Sequence, residues 1–166
     1  QEETGDITTI TGFGLADAEP LQGTITGLSF STGGVTTATI TGISWPLNDL
    51  AVALVQSAQG NDGPFDNLFA RQPLIIDASN ATDGLDIGDD PIVTQFDAQI
   101  TGSDFTDILV GGGGNDTISP KGTEEGGFNE INGSGGSDTI ILEPTGDREF
   151  LDLIYRDFSA PLTVTL

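Results

Sequence analysis

The chain contains no cysteine, no methionine and no histidine. Without Cys there are no disulfides and no thiolate metal sites. Without Cys and His together, zinc, copper and iron lose their usual ligands, and oxygen-ligated calcium or magnesium is what remains. The commonest general base is also missing. Basic residues are scarce: Lys121, Arg71, Arg148 and Arg156 face 26 acidic residues, for a net charge of -22. Nucleic-acid binding needs clustered Lys and Arg, so no nucleic-acid partner is expected. An anionic membrane surface is disfavoured for the same reason. No apolar run approaches the ~20 residues that span a bilayer, so no membrane insertion is expected. There is no Gly-x-Ser-x-Gly elbow, and Gly111–Gly114 is not followed by Gly-Lys-Ser/Thr. Chance carboxylate pairs are expected in so acidic a chain, and Asp89-Asp90 and Glu124-Glu125 read as calcium-linked or solvated. No catalytic residue is assigned, and the chain is not read as an enzyme.

What is present argues against a disordered acidic chain. Disordered sequences lack aromatic and β-branched residues, whereas this one has nine Phe and many Ile, Val and Thr among its 166 residues. A large negative charge opposes compaction unless something neutralises it. Carboxylates that hold cations would do so.

Residues 1–82 repeat a short phrase. Thr9-Ile10-Thr11-Gly12 recurs as Thr24-Ile25-Thr26-Gly27 and as Thr39-Ile40-Thr41-Gly42. Each copy runs into an alternating apolar stretch, which reads as a half-buried strand. The Gly33-Gly34 pair reads as a turn. Leu50-Ala51-Val52-Ala53-Leu54-Val55 is open to two readings: a helix started by Pro46 and capped by Asn48, or a strand in which Leu50, Val52 and Leu54 alternate. The strand is favoured here, because turn residues follow closely at Gly60-Asn61-Asp62-Gly63-Pro64. Residues 73–77 read as another strand. The run from Ile40 to Val55 is similar to a stretch of proprotein-convertase P domains, which are jelly-roll β-sandwiches. Together these imply an N-terminal antiparallel, jelly-roll-like β-sandwich over 1–82.

From residue 83 the composition turns to Asp and Gly. Residues 102–141 fall into registers of nine. They begin at Gly102, Gly111, Glu124 and Gly133, with Pro120 to Thr123 interrupting. The sixth position reads Asp107, Asp116, Asn129 and Asp138. The eighth reads Leu109, Ile118, Ile131 and Ile140. A six-residue turn and a three-residue strand fit each register, with the eighth residue facing inward because strand side chains alternate. Two registers make one coil. Asp116 and Asp138 should then stack on one edge, and Asp107 and Asn129 on the other. Rungs lie about 4.7–4.9 Å apart, roughly twice a calcium–oxygen bond of about 2.3–2.6 Å. An ion between two rungs therefore reaches oxygens from both.

This pattern resembles the calcium-binding nonapeptide of RTX proteins. The resemblance implies a short parallel β-roll over 83–166, with Ca2+ as the bound cofactor. It implies a main site formed by Asp116, Asp138 and carbonyls near Gly111, Gly113, Gly133 and Gly135. A weaker edge would use Asp104, Asp107, Glu124 and Asn129. Residues 150–155 and 161–166 read as capping strands that can offer an edge to another chain. Asp97, Asp147, Asp152 and Asp157 carry no comparable pattern and read as solvated charges.

The fold expected is thus all-β, a sandwich followed by a β-roll. The opening Gln1-Glu2-Glu3 suits a processed terminus. Calcium modules of modest affinity work outside the cell, so a secreted, extracellular or cell-surface location is expected. Two functions fit. One is a structural subunit of a surface, matrix or filament, associating through β edges. The other is a non-catalytic module of a secreted enzyme or adhesin that binds glycan, with Trp45, Phe65 and Phe69 as its aromatic platform.

Overall fold

Alternating β-branched residues dominate the first half of the chain, and they form long strands. The computed structural model describes residues 7–17, 20–87, 96–121, 128–142, 150–153 and 161–165. Strands β1 (Ile7–Ala16), β2 (Gln22–Thr32) and β3 (Val35–Pro46) are antiparallel neighbours, and each carries one Thr-Ile-Thr-Gly phrase. The β2–β3 hairpin turns at Gly33 and Gly34, with φ of 60° and 82°. A two-residue turn of this hand needs positive φ at both positions, which glycine adopts without strain.

Two helices follow: α1 (Leu47–Ser57) and α2 (Gly63–Phe69). The strand favoured for residues 50–55 is therefore corrected to a helix. Leu50 and Ala53, three residues apart, face the core, while Val52, Leu54 and Val55 are exposed. A strand would have buried Val52 with Leu50; a two-residue step on a helix turns Val52 to the far side. Asn48 lies inside α1 rather than capping it, and no side chain caps the helix start. Leu50, Ala53 and Leu68 pack with Ile25, Leu28, Ile43, Trp45 and Leu74 in one hydrophobic cluster. Helices, not a second sheet, thus cover this face among the described residues. That departs from the expected sandwich. A helix satisfies its own backbone, so it closes the face without needing strand partners.

Strand β4 (Leu74–Asp77) pairs antiparallel with β3 on one side. On its other side it pairs parallel with β5 (Ala98–Thr101). Then come β6 (Ile108–Val110), β7 (Thr117–Ser119), β8 (Phe128–Asn132), β9 (Asp138–Ile141), β10 (Phe150–Leu153) and β11 (Leu162–Thr165). The chain alternates between two sheets. β5, β7, β9 and β11 extend the first sheet to eight strands, in the order β1-β2-β3-β4-β5-β7-β9-β11, while β10-β8-β6 form the second. The sheet is mixed: antiparallel up to β4, parallel beyond it.

A single aliphatic row crosses all eight strands: Ile10, Leu28, Ile40, Ile76, Ile100, Ile118, Ile140 and Val164. Its middle is buried, and its two ends, Ile10 and Val164, are exposed. Within the parallel part, Ile100, Ile118 and Ile140 meet Leu109 and Ile131 of the second sheet in a separate core. The eighth-position residues are the ones that fill it, each with no measurable exposure. Burying each contributes on the order of 1.5–3 kcal/mol. No helix among the described residues is long and apolar enough to cross a membrane.

Candidate functional site

Among the described residues, the crossings between the two sheets are turns, and these gather on two edges. On one edge lie residues 111–116, after β6, and 133–137, after β8. These carry Gly111, Gly113, Gly133 and Gly135 and end at Asp116 and Asp138. Their stacking is direct: the Gly135 N–H donates to the Gly112 carbonyl at 2.8 Å. Glycine opens the turn for a steric reason. A Cβ on Gly111 would collide with the Asp116 carboxylate folded beneath it.

The sixth-position side chains form a ladder along this edge. Asp138 Oδ1 accepts the Asp116 N–H at 3.0 Å, and Asp116 Oδ1 accepts the Ala98 N–H at 2.8 Å. Each carboxyl thus reaches back one coil and holds its backbone. A parallel ladder runs one residue earlier. Asn115 Oδ1 accepts the Ser137 N–H at 2.9 Å, and Asp97 Oδ1 accepts the Asn115 N–H at 2.8 Å. Asp97 is exposed, but it belongs to this edge rather than to a featureless surface. Its step of 18 residues to Asn115 equals the step from Ala98 to Asp116, and that arithmetic was available in the sequence.

Asp116 is the electrostatic focus. It is 1% exposed, and its Oδ2 has no hydrogen-bond partner. Burial pushes its pKa up to about 7; the Ala98 N–H opposes the shift, and the charges of Asp138 and Asp97 add to it. An unpartnered buried carboxylate oxygen costs on the order of 1–3 kcal/mol or more. Either a proton or a cation relieves that cost.

The opposite edge has the same framework and different chemistry. It holds residues 78–84 after β4, residues 102–107 after β5, and Lys121 beyond β7. Asn129 Oδ1 accepts the Asp107 N–H at 2.8 Å, repeating the ladder contact. Asp107 Oδ1 accepts the Leu85 N–H at 2.7 Å and the Ser103 hydroxyl at 2.7 Å, and its Oδ2 accepts the Ser103 N–H at 2.9 Å. Both oxygens are satisfied. Asp104 is exposed and pairs with Lys121 Nζ at 3.1 Å. Glu124 lies outside the described residues.

The structure therefore brings Asp116 and Asp138 together, and Asp107 with Asn129, on opposite edges. Among the described residues no three acidic side chains converge on a point. A cation beside Asp116 Oδ2 would need turn carbonyls to complete its shell. The donors on hand are all oxygens, which suits a hard ion.

Two other features carry less chemistry. A cleft of about 230 Å³ between α1 and α2 is lined by Asp49, Val52, Pro64, Asn67, Leu68 and Arg71. Its two charged groups are paired with each other, Arg71 Nη1 to Asp49 Oδ2 at 2.7 Å. Trp45 is 1% exposed and packs edge-on against Phe69 at 5.2 Å. Phe65 lies 6.4 Å beyond, stacked on Phe69. Trp45 is core and offers no outward platform. Comparison with protein-family models, with curated proteins and with solved structures finds no match to this chain.

Proposed function

We propose that this chain is an extracellular calcium-binding structural module whose parallel part is an RTX-type β-roll. In this reading residues 1–82 and 83–166 form two units with separate cores, joined through one sheet. The observation that carries it is Asp116 Oδ2, a buried carboxylate oxygen with no partner at the edge of stacked Gly-rich turns. Asp116 and Asp138 would hold the ion with carbonyls of the turns at Gly111, Gly113, Gly133 and Gly135. Calcium suits an oxygen-only shell of flexible geometry better than magnesium, which demands near-ideal octahedra. At an ion concentration about ten times Kd, one bound ion stabilises the fold by about 1.4 kcal/mol.

The structural role rests on β1 and β11, which end the eight-stranded sheet among the described residues. Natural edges are blunted by charge or proline. The sequences of β1, ITTITGFGLA, and β11, LTVT, contain neither. Ile10, Phe13 and Leu15 on β1 and Leu162 and Val164 on β11 are exposed. In a chain of net charge -22, two neutral apolar edges are where copies can meet.

The test is thermal unfolding of the full chain, followed by circular dichroism, in EDTA and in millimolar calcium. The melting temperature is expected to rise in calcium, and light scattering to report assembly. Equal melts in both buffers would remove the calcium reading. Retention on glycans without assembly would favour the accessory-module alternative.

A further inference from the structure

Position by position, the two edges share a scaffold and differ at the one place where an ion would sit. Gly102 and Gly111 open equivalent turns, and a Cβ on either would collide with the Asp carboxylate of its own register. The next residue is Gly112 on one edge, with φ of 108°, and Ser103 on the other. Gly112 has no side chain to give, and Asp116 Oδ2 is left without a donor. Ser103 is fully buried and serves both oxygens of Asp107, through its N–H and its hydroxyl. Its Oγ also accepts the Phe105 N–H at 3.1 Å, which closes the turn internally. One coil further on, neutral Asn129 stands where the other edge has Asp138, so the sixth-position ladder carries one carboxylate fewer here.

Asp104 is exposed on this edge, and a protein cation meets it. Lys121 Nζ lies 3.1 Å from Asp104 Oδ1 and donates to the Ser79 carbonyl at 3.2 Å. Ser79 belongs to the turn after β4 and Asp104 to the turn after β5, which are adjacent in the stack. The ammonium therefore binds one oxygen from each of two neighbouring rungs, as an ion lodged between rungs would. Lys121 is the only lysine of the chain. It also sits at φ 57°, a left-handed conformation that strains a residue with a Cβ. Glycine would occupy that backbone more easily, so the side chain is what the position serves.

We infer that Lys121 is a tethered cation standing in for a metal ion on the Asp104/Asp107 edge, so that a free divalent ion binds only on the Asp116/Asp138 edge. The second half rests on the calcium reading above; the first half does not.

The experiment compares the full-length parent with Lys121→Gln, Lys121→Arg and Lys121→Gly. It uses calorimetric titration with calcium chloride and thermal melts in EDTA. Lys121→Arg keeps the charge and is expected to match the parent in both. Lys121→Gln is expected to bind one more calcium ion per chain than the parent. It should also melt lower in EDTA, with the loss recovered on adding calcium. Lys121→Gly relieves the backbone strain yet should also melt lower in EDTA; a melt equal to or above the parent's overturns the inference. If the parent binds calcium and Lys121→Gln matches it in ion count and melt, the tethered cation is wrong and the calcium reading stands. If the parent binds none, while Lys121→Gln melts lower and calcium rescues it, the calcium reading fails and the tethered cation stands.

Discussion

Asp138 Oδ1 accepts the backbone N–H of Asp116 at 3.0 Å across 22 residues of sequence. The same contact recurs on the opposite edge with an amide, where Asn129 Oδ1 accepts the Asp107 N–H at 2.8 Å. The molecule itself thus demonstrates that Asn can do the structural half of this job. Asp138→Asn is expected to fold in EDTA as the parent does, while its calcium affinity falls about tenfold or more, the ~1.4 kcal/mol of a lost charged contact. Asp138→Ala removes the acceptor and leaves a buried N–H unpaired, at about 1–3 kcal/mol. Chemical denaturation in EDTA, with calcium titration alongside, separates the two variants.

Asp116 gives a pH dependence whose sign changes with calcium. Burial raises its pKa in the fold to about 7, from the usual 3.8 of an aspartate. The folded state therefore holds the proton more tightly than the unfolded chain does. Its stability contribution is complete below about pH 4 and is lost as pH rises through about 7. In EDTA, melting temperature should fall across that window. In calcium the ion replaces the proton, so calcium stabilisation is greatest above pH 7 and fades as pH drops. The general self-repulsion of an acidic chain also favours low pH. Asp116→Asn isolates the specific part: it should flatten the fall between pH 5 and 7 and abolish the calcium effect.

Gly111→Ala tests the turn rather than the carboxylates. The added methyl collides with the Asp116 side chain, and neither the backbone nor a fully buried carboxylate can move away cheaply. The variant is expected to lose the calcium-induced rise in melting temperature. Gly33→Ala, whose methyl meets nothing within 4 Å but whose φ is 60°, should cost about 1–2 kcal/mol from strain alone and keep the calcium response.

Helix α1 is tested by Leu50 and Val52, two residues apart. Leu50 is buried and Val52 is exposed. Leu50→Ala should cost about 2–5 kcal/mol, whereas Val52→Ser should stay within about 0.5 kcal/mol. Urea unfolding of both distinguishes a helix, in which a two-residue step turns to the far side, from a strand, in which both would be inward.

Much of the parallel part was legible in the sequence, because its spacing is counted along the backbone. A large aliphatic at every eighth position predicts Leu109, Ile118, Ile131 and Ile140 in one core, and they are there. The four-residue interruption at Pro120–Thr123 predicts a 22-residue step, and Asp116 with Asp138 obeys it. Helix α1 was harder. Leu50, Val52 and Leu54 satisfy a period of two as well as Leu50 and Ala53 satisfy a helical turn, and only the packing partners decide. The passage from antiparallel to parallel at β4 was not readable, since strand pairing is a long-range property. Nor was the difference between the edges. It depends on one hydroxyl at Ser103 and one ammonium at Lys121, residue types whose roles are set by what stands opposite them.

The decisive measurement is an anomalous-difference map from crystals of the full chain grown with calcium. The proposal places a cation peak about 2.3–2.6 Å from Asp116 Oδ2, between the turns that end at Asp116 and Asp138. A map without density on that edge, with Asp116 Oδ2 hydrogen-bonded to a protein group instead, would contradict it.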